Sequence, residues 1–318
     1  MKATTAARQD PDRLPDGELA IVTRNLVKRF GVTPALDGLD LSVRLGEIHG
    51  FLGPNGAGKT TAIRTLLGLY HPTGGEVRVL GLDPRTDAET INRRLAYVPG
   101  DVNLWGRLTG AQVLDVLGGL RGRRDPARER LLTERYQLDP TKRVRTYSKG
   151  NRQKVALVAA FSAPVDLLVL DEPTSGLDPL MEETFAECVT EAAEAGRTVL
   201  LSSHILSEVE RLCQRVTIIK DGRTVQTGAL ADLRQLSALT ITVRTSPRTA
   251  EQLGAELDAH RHGSTRLPSG ESSLTLSVER EAVPGVLEML GRYGVSDVTC
   301  TPPSLEDLFL RHYSGTRG

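Results

Sequence analysis

The run GPNGAGKTT, Gly53 to Thr61, carries the plainest chemistry in the sequence. It fits G-x-x-x-x-G-K-[ST] and directly follows IHGFL, Ile48 to Leu52, a short apolar run that reads as a buried strand. Glycines let backbone N–H groups turn inward around an anion. A helix starting near Gly58 would aim its positive end at the same place. Lys59 would reach the β- and γ-phosphates of a nucleotide, and Thr60 would hold Mg²⁺ through its hydroxyl.

A second constellation is LLVLDEPTSGLD, Leu167 to Asp178. Four apolar strand residues end in Asp171 and Glu172, and strand alternation sends the two carboxylates in different directions. Asp171 is placed to reach Mg²⁺. Glu172 is the natural general base for a water attacking the γ-phosphate, a role that contributes about 10²–10⁴-fold in rate. An Asp-Glu pair alone is usually a solvated strand end; here Pro173 and Gly176 follow in a set pattern.

These groups need a scaffold, and the sequence supplies one. From Leu19 to about Leu233, β-rich runs alternate with helical stretches. IHGFL, DLLVL (166–170) and TVLLSS (198–203) are apolar runs with sharp stops, which suits a mostly parallel sheet covered by helices. Residues 1–18 are polar and predict a disordered segment. After Ser237 the pattern changes to a small α+β domain, residues 237–318. Its expected strands are 240–245, 273–279 and 295–300, and its expected helices are 250–260, 283–294 and 303–313. Ser304 caps the last helix, with Asp307 three residues on.

Charges balance, with 40 Lys+Arg and 40 Asp+Glu, which argues against a nucleic-acid partner. The three cysteines, Cys188, Cys213 and Cys300, form no close-spaced pair, so the pattern fits neither a zinc site nor a disulfide framework. The most apolar stretch, Val155 to Leu170, is broken by Pro164 and Asp166, short of the ~20 apolar residues a membrane span needs. RGRRDPARER, Arg121 to Arg130, mixes both signs and reads as a solvated helical face. His260 and His262 read as a surface turn rather than a metal site. Trp105, the single tryptophan, is open between partner contact and ordinary packing.

With these motifs in hand, the chain resembles an ATP-binding cassette (ABC) ATPase. The motifs run in order from Phe30 to His204. YSKGN, Tyr147 to Asn151, stands where the family signature LSGGQ stands; SGLD, Ser175 to Asp178, matches the D-loop; His204 matches the switch histidine; Phe30 takes the place of the aromatic that stacks on adenine. The resemblance implies a P-loop NTPase fold with a helical subdomain at about 100–162, inside a nucleotide-binding domain of 19–233. It implies ATP and Mg²⁺ as ligands. Gly53, Pro54, Asn55, Gly56, Ala57, Gly58, Lys59, Thr60 and Thr61 would wrap the phosphates. From a second copy, paired head to tail, Ser148, Lys149, Gly150, Asn151 and Asp178 would meet the same nucleotide. Glu172, His204 and Lys59 would carry catalysis, and Thr60 and Asp171 would hold the metal.

Three departures stand out. The family's glutamine after AYVP is replaced by Gly100, and Asp101 beside it is the candidate substitute metal ligand. Lys149 replaces a signature glycine, and Phe30 replaces the commoner tyrosine. The resemblance leaves three functions in competition: a transport ATPase on a separate membrane permease, a soluble cassette of translation or repair, and a weakly active regulatory cassette. One cassette per chain, with no inserted coiled coil, favours transport. The ending PSLEDLFLRHY is similar to the extension of ABC-2 export ATPases, which implies a peripheral protein on the cytoplasmic face of the membrane, serving a drug, antibiotic or lipid exporter.

Overall fold

The computed structural model describes residues 16–122, 124–235, 239–246, 249, 251–253, 264–267, 273–293, 295 and 297–301. The chain divides into two compact units, Met1–Thr227 and Gly228–Gly318. The division falls a few residues before the change of pattern near Leu233 and Ser237, inside strand β9 (Arg223–Ala229). Residues Asp16–Glu18 form a 3₁₀ turn, so the expected polar segment is ordered at its end.

The first unit is built on two sheets. Strands β1 (Leu19–Phe30), β2 (Thr33–Arg44) and β4 (Gly74–Val79) form an antiparallel sheet in the order β2-β1-β4. A six-stranded sheet runs β5-β6-β7-β3-β8-β9, from β3 (Ile48–Leu52), β5 (Leu95–Val98), β6 (Leu167–Asp171), β7 (Thr198–Ser203), β8 (Arg215–Lys220) and β9. The β5–β6, β6–β7, β3–β7 and β3–β8 pairs are parallel. Every residue of β3, β6 and β7 is buried, the reason these strands read as continuous apolar runs. Strand β6 begins and ends one residue later than DLLVL suggested and includes Asp171. The β8–β9 turn is Asp221-Gly222 with φ of 49° and 74°, the type I′ hairpin geometry.

Helix α1 (Lys59–Leu66) leaves the end of β3, and its Ala62, Ile63 and Leu66 join one core with Leu26, Leu36, Phe51 and Val169. Each fully buried Leu, Ile or Phe there stabilises the fold by roughly 1.5–3 kcal/mol. This core fixes the start of α1 against the sheet edge where the carboxylates emerge. Helices α2 (Ala88–Arg93), α6 (Pro179–Glu194) and α7 (Leu206–Leu212) border the parallel sheet. Helices α3 (Gly110–Arg121), α4 (Pro126–Arg135) and α5 (Lys149–Phe161) pack together, α3 and α4 each against α5. Thr109 caps α3 in a full capping box with Gln112, a T-x-x-Q signal present in the sequence. Among the described residues, no helix is long and apolar enough to cross a membrane.

In the second unit, α8 (Leu230–Gln235) is followed by an antiparallel sheet in the order β11-β12-β10-β13. Its strands are β10 (Leu239–Arg244), β11 (Ser264–Leu267), β12 (Ser273–Val278) and β13 (Asp297–Thr301). Helix α9 (Val283–Arg292) places Val286, Met289 and Leu290 against Ile241, Leu274 and Leu276. That spacing is the one-sided helical stripe. Strand β11 went unread in the sequence. Most of the expected helix 250–260, all of 303–313 and the pair His260 and His262 lie outside the described residues.

Candidate functional site

The loop Gly53–Gly58 leaves the buried strand β3 and turns into α1. Gly56 and Gly58 have φ of 85° and 109°, backbone that favours glycine. A Cβ on Gly58 would sit 2.7 Å from the Ala35 carbonyl oxygen, and one on Gly53 would sit 2.6 Å from that of Ile219. Gly58 caps α1 without a side-chain hydrogen bond, and the first turn of α1 has no acidic residue. The positive end of the helix therefore keeps its field for an anion. The loop opens on a cleft of about 560 Å³ lined by Asn55, Gly56, Lys59, Thr60, Thr61 and Glu172, and, across the chain, by Ala35, Asp37, Gly222 and Arg223.

Lys59 is buried and its ammonium is fully engaged. It donates to the carbonyls of Gly53 at 2.5 Å and Pro54 at 3.4 Å and lies 3.3 Å from Glu172 Oε1. Asp171, at the end of β6, accepts from Thr60 Oγ1 at 3.0 Å and from Ser202 Oγ at 2.6 Å. Strand pairing sets the second contact, since Asp171 and Ser202 are register partners on β6 and β7. Glu172 turns away, with a left-handed φ of 51°. Such a conformation costs roughly 1–3 kcal/mol in a non-glycine residue and persists where its surroundings over-determine it. Here the Glu172 N–H donates to the Ser202 carbonyl at 3.0 Å. Oε1 of Glu172 is buried without a hydrogen-bond donor beyond the Lys59 ion contact, and Oε2 is bonded to His204 Nδ1. Burial, with the Asp171 carboxylate adding to it, pushes the neighbouring Tyr97 hydroxyl up to about 12, so it stays neutral.

A model of the family described as "ABC transporter" matches residues 36–175. The chain is 35% identical over 307 residues to the daunorubicin resistance ATP-binding protein DrrA3 of Streptomyces coeruleorubidus, covering 94% of this chain and 96% of the other. The chain belongs to the ABC transporter family. It is also 34% identical over 313 residues to the Nod factor export ATP-binding protein I of Cupriavidus pinatubonensis, covering 95% of this chain and 93% of that one. Among solved structures it resembles the dimeric post-hydrolysis cassette MJ0796 bound to ADP and Pi, with a TM-score of 0.59 and 23% identity over 66% of this chain and 98% of that one.

As an ABC ATPase, the protein binds and hydrolyses ATP, and the cleft above the glycine loop has the family's fold around it. The chain's own signature lies apart from that cleft, against its own D-loop. Ser148 caps α5, accepting from Asn151 N at 3.2 Å. Lys149 Nζ donates to Ser175 Oγ at 2.7 Å. A Cβ on Gly150 would overlap the Gly176 carbonyl oxygen. Gln153 Nε2 donates to the Pro173 carbonyl at 2.8 Å. The Asp178 carboxylate caps α6, accepting from Met181 N at 3.0 Å.

Phe30 and Asp101, both expected at the site, are not among the residues that line the cleft. Phe30 is 47% exposed and meets Tyr70 edge-on, with ring centroids 5.2 Å apart and the Lys28 ammonium 5.0 Å from its own centroid. Asp101, the candidate substitute metal ligand, is exposed and is not among the residues that line the cleft. Gly100 is the residue that touches the site: a Cβ there would lie 3.1 Å from the Asp171 carbonyl oxygen and 3.3 Å from Glu172 Cβ. The sequence reading missed Ser202, whose signal was the serine pair before His204, and Asp37 and Arg223, whose ion pair at 2.5 Å carries no local motif.

Proposed function

We propose that this ABC ATPase powers export through a separately encoded membrane permease, working as a head-to-tail pair of identical chains on the cytoplasmic face of the membrane. The observation that carries the catalytic part is Glu172, held between Lys59 and His204 at the mouth of the glycine loop. Its Oε1, buried with the Lys59 ammonium as its one contact, is the acceptor that would take a proton from water once Lys59 turns to the phosphates. Lys59 would exchange its bonds to its own loop carbonyls for phosphate oxygens. Thr60 and Asp171, 3.0 Å apart, fit Mg²⁺: a hydroxyl and a carboxylate are the hard oxygen ligands it takes. When bound, the ion would neutralise charge on the phosphates. His204 would hold the Glu172 carboxylate in place. Ser148 and the Gly150 N–H, at the start of α5 in the second copy, would face the γ-phosphate, and the dimeric assembly of the related cassette supports that arrangement.

The export reading is supported by length. Similarity to the Nod factor export protein runs through both units of the chain. Trp105, 50% exposed in the segment between β5 and α3, suits a permease contact. Purification of the tagged chain from its native cells in mild detergent tests this reading. Recovery of a multi-span membrane protein is expected; recovery with ribosomes or DNA would replace the reading with a soluble cassette.

A further inference from the structure

His204 has a support of its own, four residues along the chain. Ser203, the last residue of β7, is 1% exposed. Its hydroxyl donates to Glu208 Oε2 at 2.7 Å and accepts from the Ile205 N–H at 3.0 Å. The two bonds bracket His204, whose Nδ1 is bonded to Glu172. We infer that Glu208 is a positioning residue for ATP hydrolysis, acting through the Ser203 hydroxyl on the short loop that presents His204 to Glu172.

A serine hydroxyl has one proton and rotates to suit its partners. With its proton committed to Glu208, Ser203 Oγ turns a lone pair to the Ile205 N–H, and the loop is fixed on both sides of His204. Helix α7 begins at Leu206 with no side-chain cap from Ile205, and the Ile205 and Glu208 bonds to Ser203 tie its start to β7. Glu208 itself is only 9% exposed, and its Oε1 is buried without a hydrogen-bond partner. Glu208 is one of the residues lining a pocket of about 190 Å³, together with Thr174, Glu182 and Arg211. Thr174 lies two residues past Glu172, so the same carboxylate touches the surroundings of both members of the Glu172–His204 pair. Burial raises the cost of a charge at Glu208, Ser203 and Thr174 ease it, Glu172 and Glu182 add to it, and Arg211 beside it is ion-paired to Glu183. A buried acceptor left unpaired is destabilising, and an apolar side chain would avoid it.

The proposal rests on the reading of Glu172 and His204 as the hydrolytic pair. Its test is steady-state hydrolysis and nucleotide affinity, measured on the full chain with Glu208→Ala, Glu208→Gln, Ser203→Ala and the double alanine variant. Glu208→Ala and Ser203→Ala should each lower kcat by about 10-fold to 100-fold. Nucleotide affinity and KM should stay within about twofold, because a positioning residue acts on turnover rather than on ground-state binding. The double variant should be no worse than the poorer single one. Glu208→Gln keeps an acceptor for Ser203 and should retain at least about half the parent's kcat. Additive losses, losses carried in KM, or a Gln variant as impaired as the Ala variant would overturn the inference. If Glu208→Ala does not fold, Ser203→Ala, which removes one oxygen atom, decides alone: full kcat overturns it. Glu172→Gln separates the levels. If that variant turns over normally, the underlying pair is wrong; if it is inactive while Glu208→Ala is unaffected, only this inference fails.

Discussion

The Lys59 ammonium lies 3.3 Å from one carboxylate oxygen of Glu172, and the other oxygen of that carboxylate is bonded to His204. One buried cation thus joins the glycine loop to the carboxylate proposed to take a proton from the attacking water. Lys59→Ala removes the phosphate donor and strands the carboxylate. Hydrolysis should fall by at least about 10²–10³-fold, the usual cost of losing one preorganised donor, and nucleotide affinity should fall with it. Fluorescent nucleotide binding and phosphate release check both.

Asp101 is predicted to be dispensable for metal use. It is exposed and does not line the cleft. Asp101→Ala should leave kcat within about twofold and the Mg²⁺ dependence unchanged, as expected of a surface change away from the site. A tenfold rise in the Mg²⁺ concentration needed for half-maximal rate would restore the ligand reading.

Gly150→Ala addresses the signature. The new Cβ would overlap the Gly176 carbonyl oxygen, backbone that cannot swing away. Nucleotide binding to the single chain should survive, because the cleft is built elsewhere. ATP-dependent pairing should weaken by an order of magnitude or more. Sedimentation with and without ATP measures it.

Glu208 makes stability depend on pH with a definite sign. Burial holds its carboxyl above the usual glutamate range. The folded state then binds that proton more tightly than the unfolded chain does. The stability this contributes is complete below the ordinary glutamate value and is lost as pH rises through the folded value. Glu208→Gln cannot ionise and escapes that loss. Its melting temperature relative to the parent should therefore be higher by a few degrees near pH 8 than near pH 5. An equal difference at both pH values would contradict the sign.

The residues legible in the sequence are those whose local pattern is itself the function. GPNGAGKTT must be glycine-rich to bend as Gly56 and Gly58 do, and the strand end before Glu172 must be apolar because β6 is wholly buried. The alternation expected of residues 273–279 appears as the alternating burial of β12. What escaped is set by pairing between distant segments. Ser202 reaches Asp171 only because β6 and β7 lie in a particular register, and Asp37 meets Arg223 only through the β8–β9 hairpin. The exposure of Asp101 was not legible either, because adjacency to Gly100 in the sequence says nothing of side-chain direction at a bend. Glu208 carried no signal in the sequence, since its burial depends on Ser203 and Thr174 arriving from two other elements.

The central claim, a paired cassette in which Glu172 cuts the nucleotide that joins the pair, is tested most directly by the mass of Glu172→Gln in solution with ATP. The amide keeps the shape of the site but cannot take a proton from water. The mass should double with ATP and Mg²⁺ and return to that of one chain when ADP replaces ATP. A variant that binds ATP yet stays a single chain, or one that hydrolyses it at the parent's rate, would contradict the account.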